Sequence, residues 1–269
     1  NTKVASTRSV KNFTMADEQN HGNKFSLSGS FSPIVSYRHS KAVASNVTKT
    51  LREESILSYS GGMDIGYNLA DELILRTGVH YTKMGQSLNK VEINSDSYAI
   101  DGNNRVIKIA NSIGPGQINM SRIMGDAELK ENPGYVKYAD KSIPSGFTLE
   151  PTLYQTFEMV KIPFLLEYTF IDNKFDLSMI GGVNANLLVD EGIFMQQTES
   201  NQRVGSTKNL RKLNYSGTLG VGLRYDLGNK AQLFMEPTFD YYITSLSSEN
   251  SYRTFPYYFG FFSGVSISF

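Results

Sequence analysis

PYYFGFFSGVSISF, residues Pro256 to Phe269, ends the chain on an alternation of period two. Tyr257, Phe259, Phe261, Ser263, Val265, Ile267 and Phe269 share one face, nearly all apolar. Tyr258, Gly260, Phe262, Gly264, Ser266 and Ser268 share the other, mostly small or polar. Such alternation marks a β-strand. A strand with lipid on one side and a packed lumen on the other has this character. So does an inner strand of a soluble sandwich. The remainder of the chain separates the two.

The same pattern recurs upstream at Lys24 to Tyr37, Leu57 to Leu69, Leu73 to Tyr81, Glu158 to Phe170, Phe175 to Val189, Leu213 to Leu227 and Ala231 to Ile243. In the first of these, Phe25, Leu27, Phe31, Val35 and Tyr37 lie opposite Ser26, Ser28, Ser30 and Ser32. With the final strand this makes eight. Their connections alternate between short (Ala70 to Glu72, Ile171 to Lys174, Gly228 to Lys230) and long (Arg38 to Ile56, Met84 to Leu153, Asp190 to Lys212, Thr244 to Thr254). Sandwiches do not alternate this way, whereas outer-membrane barrels do. An irregular stretch as long as Met84 to Leu153 also argues against a compact soluble domain. The sequence therefore predicts an all-β fold: an eight-stranded antiparallel up-and-down transmembrane β-barrel. Short periplasmic turns, a long extracellular loop over 84–153, a bacterial outer-membrane location and two periplasmic termini follow. Lys24 to Tyr37 should pair with the last strand. Pro33, Pro163 and Pro237 fall inside strands of a barrel with no free edge, so bulges or strand ends are expected there. The polar Asn1 to Asn23 reads as a periplasmic tail or linker preceding a barrel domain over 24–269.

Composition narrows the chemistry. The 269 residues carry 26 basic and 26 acidic side chains, a balance that argues against nucleic acid as a partner. There is no cysteine, hence no disulfide, thiolate metal site or thiol nucleophile. No run approaches the roughly 20 apolar residues of a membrane-spanning helix. The mean hydropathy of −0.29 still accommodates a barrel, half of whose strand residues are polar. The N-terminus lacks the basic-then-apolar pattern of a signal peptide, as expected for a processed or truncated piece or a cytosolic chain. Asp96, Asp101, Asp126 and Glu128 lack calcium-loop spacing, and no glycine-rich phosphate motif is present. No metal or cofactor is expected.

Aromatics cluster at both ends of the outward face, as membrane-interface girdles do. Phe25, Tyr67, Phe170, Phe175, Tyr225 and Phe269 lie toward the short turns; Tyr37, Tyr59, Tyr81, Tyr215, Tyr241 and Tyr257 lie toward the long loops. Tyr168 joins this outward set. The inward face carries Asp64, Arg76, His80, Lys161, Glu167, Asp176, Arg224, Asp226, Glu236 and Asp240. Eight strands enclose a lumen that side chains fill, and charges there must be paired. Asp64, Arg76, Glu167, Arg224 and Glu236, near mid-strand, are predicted to form a structural lumen network. An open channel is not expected, since water-filled pores take about sixteen strands. No catalytic residue is assigned. His80 is the one strand histidine, and a barrel enzyme built on it is the outlying alternative.

Three segments carry a resemblance: SYSGGMDIGYNLADELILRTGVHYTKMGQ (Ser58 to Gln86), VKIPFLLEYTFIDNKFDLSMIGGVNANLLV (Val160 to Val189), and LNYSGTLGVGLRYDL with MEPTFDYYITSL within Leu213 to Leu246. They resemble the PorT-like small outer-membrane β-barrel family of Bacteroidota, above all in IPFLLEY, GGVNANLLV and EPTF. Within that group the chain looks most like the C-terminal barrel of dual-membrane-spanning anti-sigma factors. The resemblance implies no catalytic residues. It implies a non-enzymatic barrel that anchors a periplasmic tether and presents surface loops, and a role for Phe269 in recognition by the outer-membrane assembly machinery. The expected partners are outer-membrane lipid and lipopolysaccharide, and proteins in the outer membrane or at the surface. An accessory subunit of a larger outer-membrane complex is the principal alternative.

Overall fold

The computed structural model describes residues 24–42, 52–89, 91–93, 98–101, 104–110, 113, 115–119, 122, 147–149, 153–171, 174–196, 201–228, 230–249 and 252–269. The tail read from Asn1 to Asn23 lies outside them. Fifteen strands occur among the described residues: β1 (Phe25–Ala42), β2 (Arg52–Ser55), β3 (Leu57–Ala70), β4 (Leu73–Asn89), β5 (Val91–Ile93), β6 (Tyr98–Asp101), β7 (Asn104–Ala110), β8 (Pro115–Asn119), β9 (Phe147–Leu149), β10 (Leu153–Ile171), β11 (Phe175–Gln196), β12 (Asn201–Thr207), β13 (Leu213–Gly228), β14 (Ala231–Tyr242) and β15 (Tyr252–Ser268).

Eight of these close a ring in the order β1, β3, β4, β10, β11, β13, β14, β15. Every neighbouring pair is antiparallel, and β15 returns to β1 with Ser26 opposite Ser268 and Tyr37 opposite Tyr257. The fold is the predicted eight-stranded antiparallel up-and-down barrel. Alternation explains it locally: each stave has one apolar face, and closure leaves none of the eight with a free edge. The apolar residues point outward and stay exposed, as at Met63 (62%), Val79 (58%) and Leu219 (66%), while small and polar partners point inward and are buried.

The short turns fall where expected. Gly228 (φ 77°) and Lys230 (φ 67°) take left-handed conformations in the β13–β14 turn, and Asp226 Oδ1 accepts the Gly228 N–H at 2.7 Å. That places Asp226 exposed at the short-turn rim rather than in the lumen.

Two expectations are corrected. The long loops at 38–56, 84–153 and 190–212 are in part strand. β1 runs on to Ala42, β4 to Asn89 and β11 to Gln196. From β11 the sheet extends sideways through β12, β8, β7 and β6, and β5 pairs with β9 as a separate ribbon. In this lobe Met84 to Leu88 are buried at five consecutive positions. When both faces of a strand are covered, the period-two signal disappears from the sequence.

The second correction concerns the prolines. None ends a strand or makes a bulge. Pro33 sits opposite Tyr59, Pro163 opposite Asn184 and Pro237 opposite Phe261 in unbroken register. On the other flank of each, the ladder skips two pairs and resumes in step. At Pro33 the Ser32 hydroxyl fills the gap: Oγ accepts the Phe261 N–H at 2.8 Å and donates to the Pro33 carbonyl at 2.8 Å. A missing N–H costs one flank only, and an inserted hydroxyl restores the partner without changing register.

Candidate functional site: the barrel lumen

The five mid-strand charges predicted from the sequence come together inside the barrel. Arg76, on β4, lies at the centre. Its Nη1 donates to Glu167 Oε2 at 3.0 Å and Glu236 Oε1 at 2.8 Å; its Nη2 donates to Asp64 Oδ2 at 3.3 Å and Glu236 Oε2 at 3.2 Å. Arg224, on β13, grips Glu167 with two bonds, Nε to Oε1 at 2.8 Å and Nη2 to Oε2 at 2.6 Å, and approaches Glu236 Oε1 at 3.4 Å. Ser178 Oγ donates to Glu167 Oε1 at 2.9 Å, and the Phe234 ring lies 5.5 Å beneath the Arg224 guanidinium. All five charged side chains are buried. Bidentate geometry and shared carboxylates supply the hydrogen bonds that a desolvated charge requires.

Three inward residues from the sequence join the lumen beyond those five. His80 Nε2 lies 2.8 Å from Asp64 Oδ1, with its ring edge-on to Phe262. Lys161 Nζ donates to Asp240 Oδ1 at 2.8 Å and to the Tyr258 hydroxyl at 3.1 Å. Asp240 Oδ1 also accepts from Thr218 Oγ1 at 2.7 Å and Asn184 Nδ2 at 3.2 Å. The signal for this second group was present, since Lys161 and Asp240 are both in the inward phase. Their partnership across β10 and β14 depended on register.

Toward the long loops an apolar cap closes the lumen, a feature the sequence reading missed. Ile34, Met84, Phe157, Met159, Tyr242, Leu246 and Tyr258 pack with Ile113, which comes from the segment between β7 and β8. All are nearly inaccessible to solvent. The available signal was the inward phase of Ile34, Tyr242 and Tyr258, where apolar side chains replace polar ones. Level with the cap, on the opposite face of β4 and β10, the Lys83 ammonium donates to Glu158 Oε1 at 2.7 Å and holds that carboxyl below its ordinary range. Burial pushes the Glu191 carboxyl up, against the hydrogen bond it accepts from the Thr207 N–H at 2.8 Å.

The girdle residues stand at the two ends of the outward face. Tyr67 and Phe269 both meet Phe25, at ring separations of 5.1 and 6.2 Å, and Tyr225 meets Phe175 at 4.9 Å. Phe170 and Tyr168 are exposed nearby, with the Tyr168 hydroxyl donating to Glu72 Oε2 at 2.9 Å. At the other end Tyr37 stacks on Tyr257 at 5.6 Å, and Tyr81 meets Tyr59 at 6.4 Å.

His80 and Asp64 are oriented as a base and its orienting carboxylate could be, but both are buried and line a space of about 30 Å³. That is room on the scale of a water molecule and not of a substrate. Among the described residues no group of three or more His, Cys, Asp or Glu side chains is placed to hold a metal ion.

No protein-family model and no curated protein matches this sequence. Solved structures similar to it include the outer membrane protein OprG from Pseudomonas aeruginosa, at 13% identity, TM-score 0.43, covering 92% of this chain and 96% of that one. The Escherichia coli outer membrane protease OmpT matches at 9% identity, TM-score 0.42, over 91% and 97% of the two chains. Escherichia coli outer membrane protein W matches at 13% identity, TM-score 0.36, over 92% and 98%. Similarity this low says nothing of activity. The fold rests on the strand pairing above, and the resemblance to the PorT-like barrels rests on the sequence segments alone.

Proposed function

We propose that this chain is a sealed, non-enzymatic barrel of the bacterial outer membrane that holds a structured β lobe at the cell surface. The observation that carries this reading is the pairing of an exposed apolar outer wall with a lumen filled by ion pairs and capped by side chains. An apolar wall of this extent is stable only against lipid. Transmembrane β-strands need about 9–11 residues. β10 has 19 and β11 has 22, so both overshoot the bilayer and build the lobe. Lipid and lipopolysaccharide would meet the outer wall, and protein partners the lobe.

The test is reconstitution of the refolded protein into planar bilayers. A sealed barrel gives heat-modifiable migration on gels and no conductance steps. Discrete steps of uniform size would overturn the sealed reading, and failure to insert would overturn the membrane reading.

The sequence resemblance supports a finer version, in which the barrel anchors the periplasmic linker of a trans-envelope anti-sigma protein. The full reading frame tests it. An anti-sigma domain and one inner-membrane helix upstream of Asn1 are expected, and a start just before Asn1 preceded only by a signal peptide would exclude it.

A further inference from the structure

Several buried polar atoms have no hydrogen-bond partner among the described residues, and five of them stand out by position: Ser30 Oγ, Arg76 Nε, His80 Nδ1, Thr238 Oγ1 and Asp240 Oδ2. Their five side chains line one cavity of about 30 Å³. A buried polar atom left unpaired is destabilising, so five such side chains around one space are not indifferent to what fills it. We propose that this cavity is a binding site for a single ordered water molecule, and that this water joins the two ion-pair groups of the lumen into one network.

The donor set selects the ligand. Arg76 Nε carries a hydrogen and only donates, so it repels a cation, as do the nearby charges of Arg76 and Lys161. Asp240 Oδ2 only accepts, so it repels a halide, as does Glu236 across the cavity. Water donates and accepts at once, typically makes about three such bonds, and needs a space of roughly 10–15 Å³ or more. The Ser30 and Thr238 hydroxyls can turn to serve either role.

The site changes how the barrel is held together. Direct side-chain bonds connect Asp64, Arg76, His80, Glu167, Arg224 and Glu236 in one group. Lys161, Asn184, Thr218, Asp240 and Tyr258 form another. Together they touch seven staves and leave out β1. A water bonded to His80 Nδ1, Asp240 Oδ2 and Ser30 Oγ links the two groups and brings in β1, so that one polar network reaches every stave of the ring. This goes beyond the sealed-barrel reading and does not depend on the lobe or its partners.

Two measurements test it on the full chain in detergent. A crystal structure should show one density peak within hydrogen-bonding distance of His80 Nδ1, Asp240 Oδ2 and Ser30 Oγ. After a rubidium bromide soak the peak should have no anomalous signal; a bromide or rubidium signal there would overturn the assignment to water. Oxygen-17 relaxation dispersion counts long-lived internal waters. The count should fall by one in Ser30→Ala, or in His80→Phe should Ser30→Ala not fold. An unchanged count in a folded variant would overturn the site. A conducting barrel with the water in place would refute the seal and leave this site standing.

Discussion

Phe25 and Phe269 exchange backbone hydrogen bonds: the Phe269 N–H donates to the Phe25 carbonyl at 2.8 Å, and the Phe25 N–H to the Phe269 carbonyl at 3.3 Å. The first and last staves are thereby locked from their terminal residues inward. Inside the same seam the Ser28 and Ser266 hydroxyls lie 3.1 Å apart on paired residues.

That seam can be covalently trapped. The chain has no cysteine, so a Ser28→Cys/Ser266→Cys variant carries one possible disulfide. Directly paired residues on antiparallel strands bring Cβ atoms within the range a disulfide spans. Oxidation during refolding should give a faster-migrating species on non-reducing gels that reverts on reduction. A folded variant that stays reduced under oxidant would contradict the β1–β15 closure.

Arg76 should be the most sensitive charge in the molecule. Its side chain is 5% exposed and bonds three carboxylates, so Arg76→Ala strands Asp64, Glu167 and Glu236 without their shared counter-charge. A loss of about 3–5 kcal/mol is expected, as for other broken buried pairs. Arg203, 43% exposed and 3.2 Å from Asp190, is the control; Arg203→Ala should change stability by about 1 kcal/mol or less. Urea unfolding from lipid vesicles compares the two, and equal effects would refute the lumen network as a stabilising element.

Gly78 and Gly29 should respond oppositely to alanine. A Cβ at Gly78 would lie 2.1 Å from the Met63 carbonyl oxygen and 2.5 Å from Asp64 Oδ1, whereas one at Gly29 meets nothing within 4 Å. The obstacle at Gly78 is backbone, which yields only if β3 and β4 separate. Gly78→Ala should cost about 1–3 kcal/mol or block refolding, and Gly29→Ala should stay within about 0.5 kcal/mol. Refolding yield and urea midpoint report both.

Acid should loosen the lobe through Glu158. The hydrogen bond from Lys83 lowers the Glu158 pKa from its ordinary 4.5 in the folded state. A carboxyl with a depressed folded-state pKa contributes stability above its unfolded value and loses it as pH falls through the folded one. Hydrogen exchange across β4 and β10 near Lys83 should therefore speed up as pH drops below about 4.5, after correction for intrinsic rates. Glu158→Gln should abolish that dependence; an unaltered profile in the variant would show the pair to be inert.

What the sequence alone determined is the stave pattern. Period-two alternation is a local property, because successive side chains point to opposite faces whatever the strand pairs with. From it came the eight strands, the outward wall from Phe25 to Phe269, the short turns, and the inward phase of Asp64, Arg76, Glu167, Arg224 and Glu236. What only the tertiary structure decided is who meets whom. Arg76 reaches Glu167 and Glu236 across 91 and 160 residues of chain, and Lys161 finds Asp240 across 79, because register and ring closure set those distances. The same holds for Ile113 in the cap and for the doubly covered stretch from Met84 to Leu88. There burial comes from both sides, and the alternation that made the rest of the barrel legible is absent.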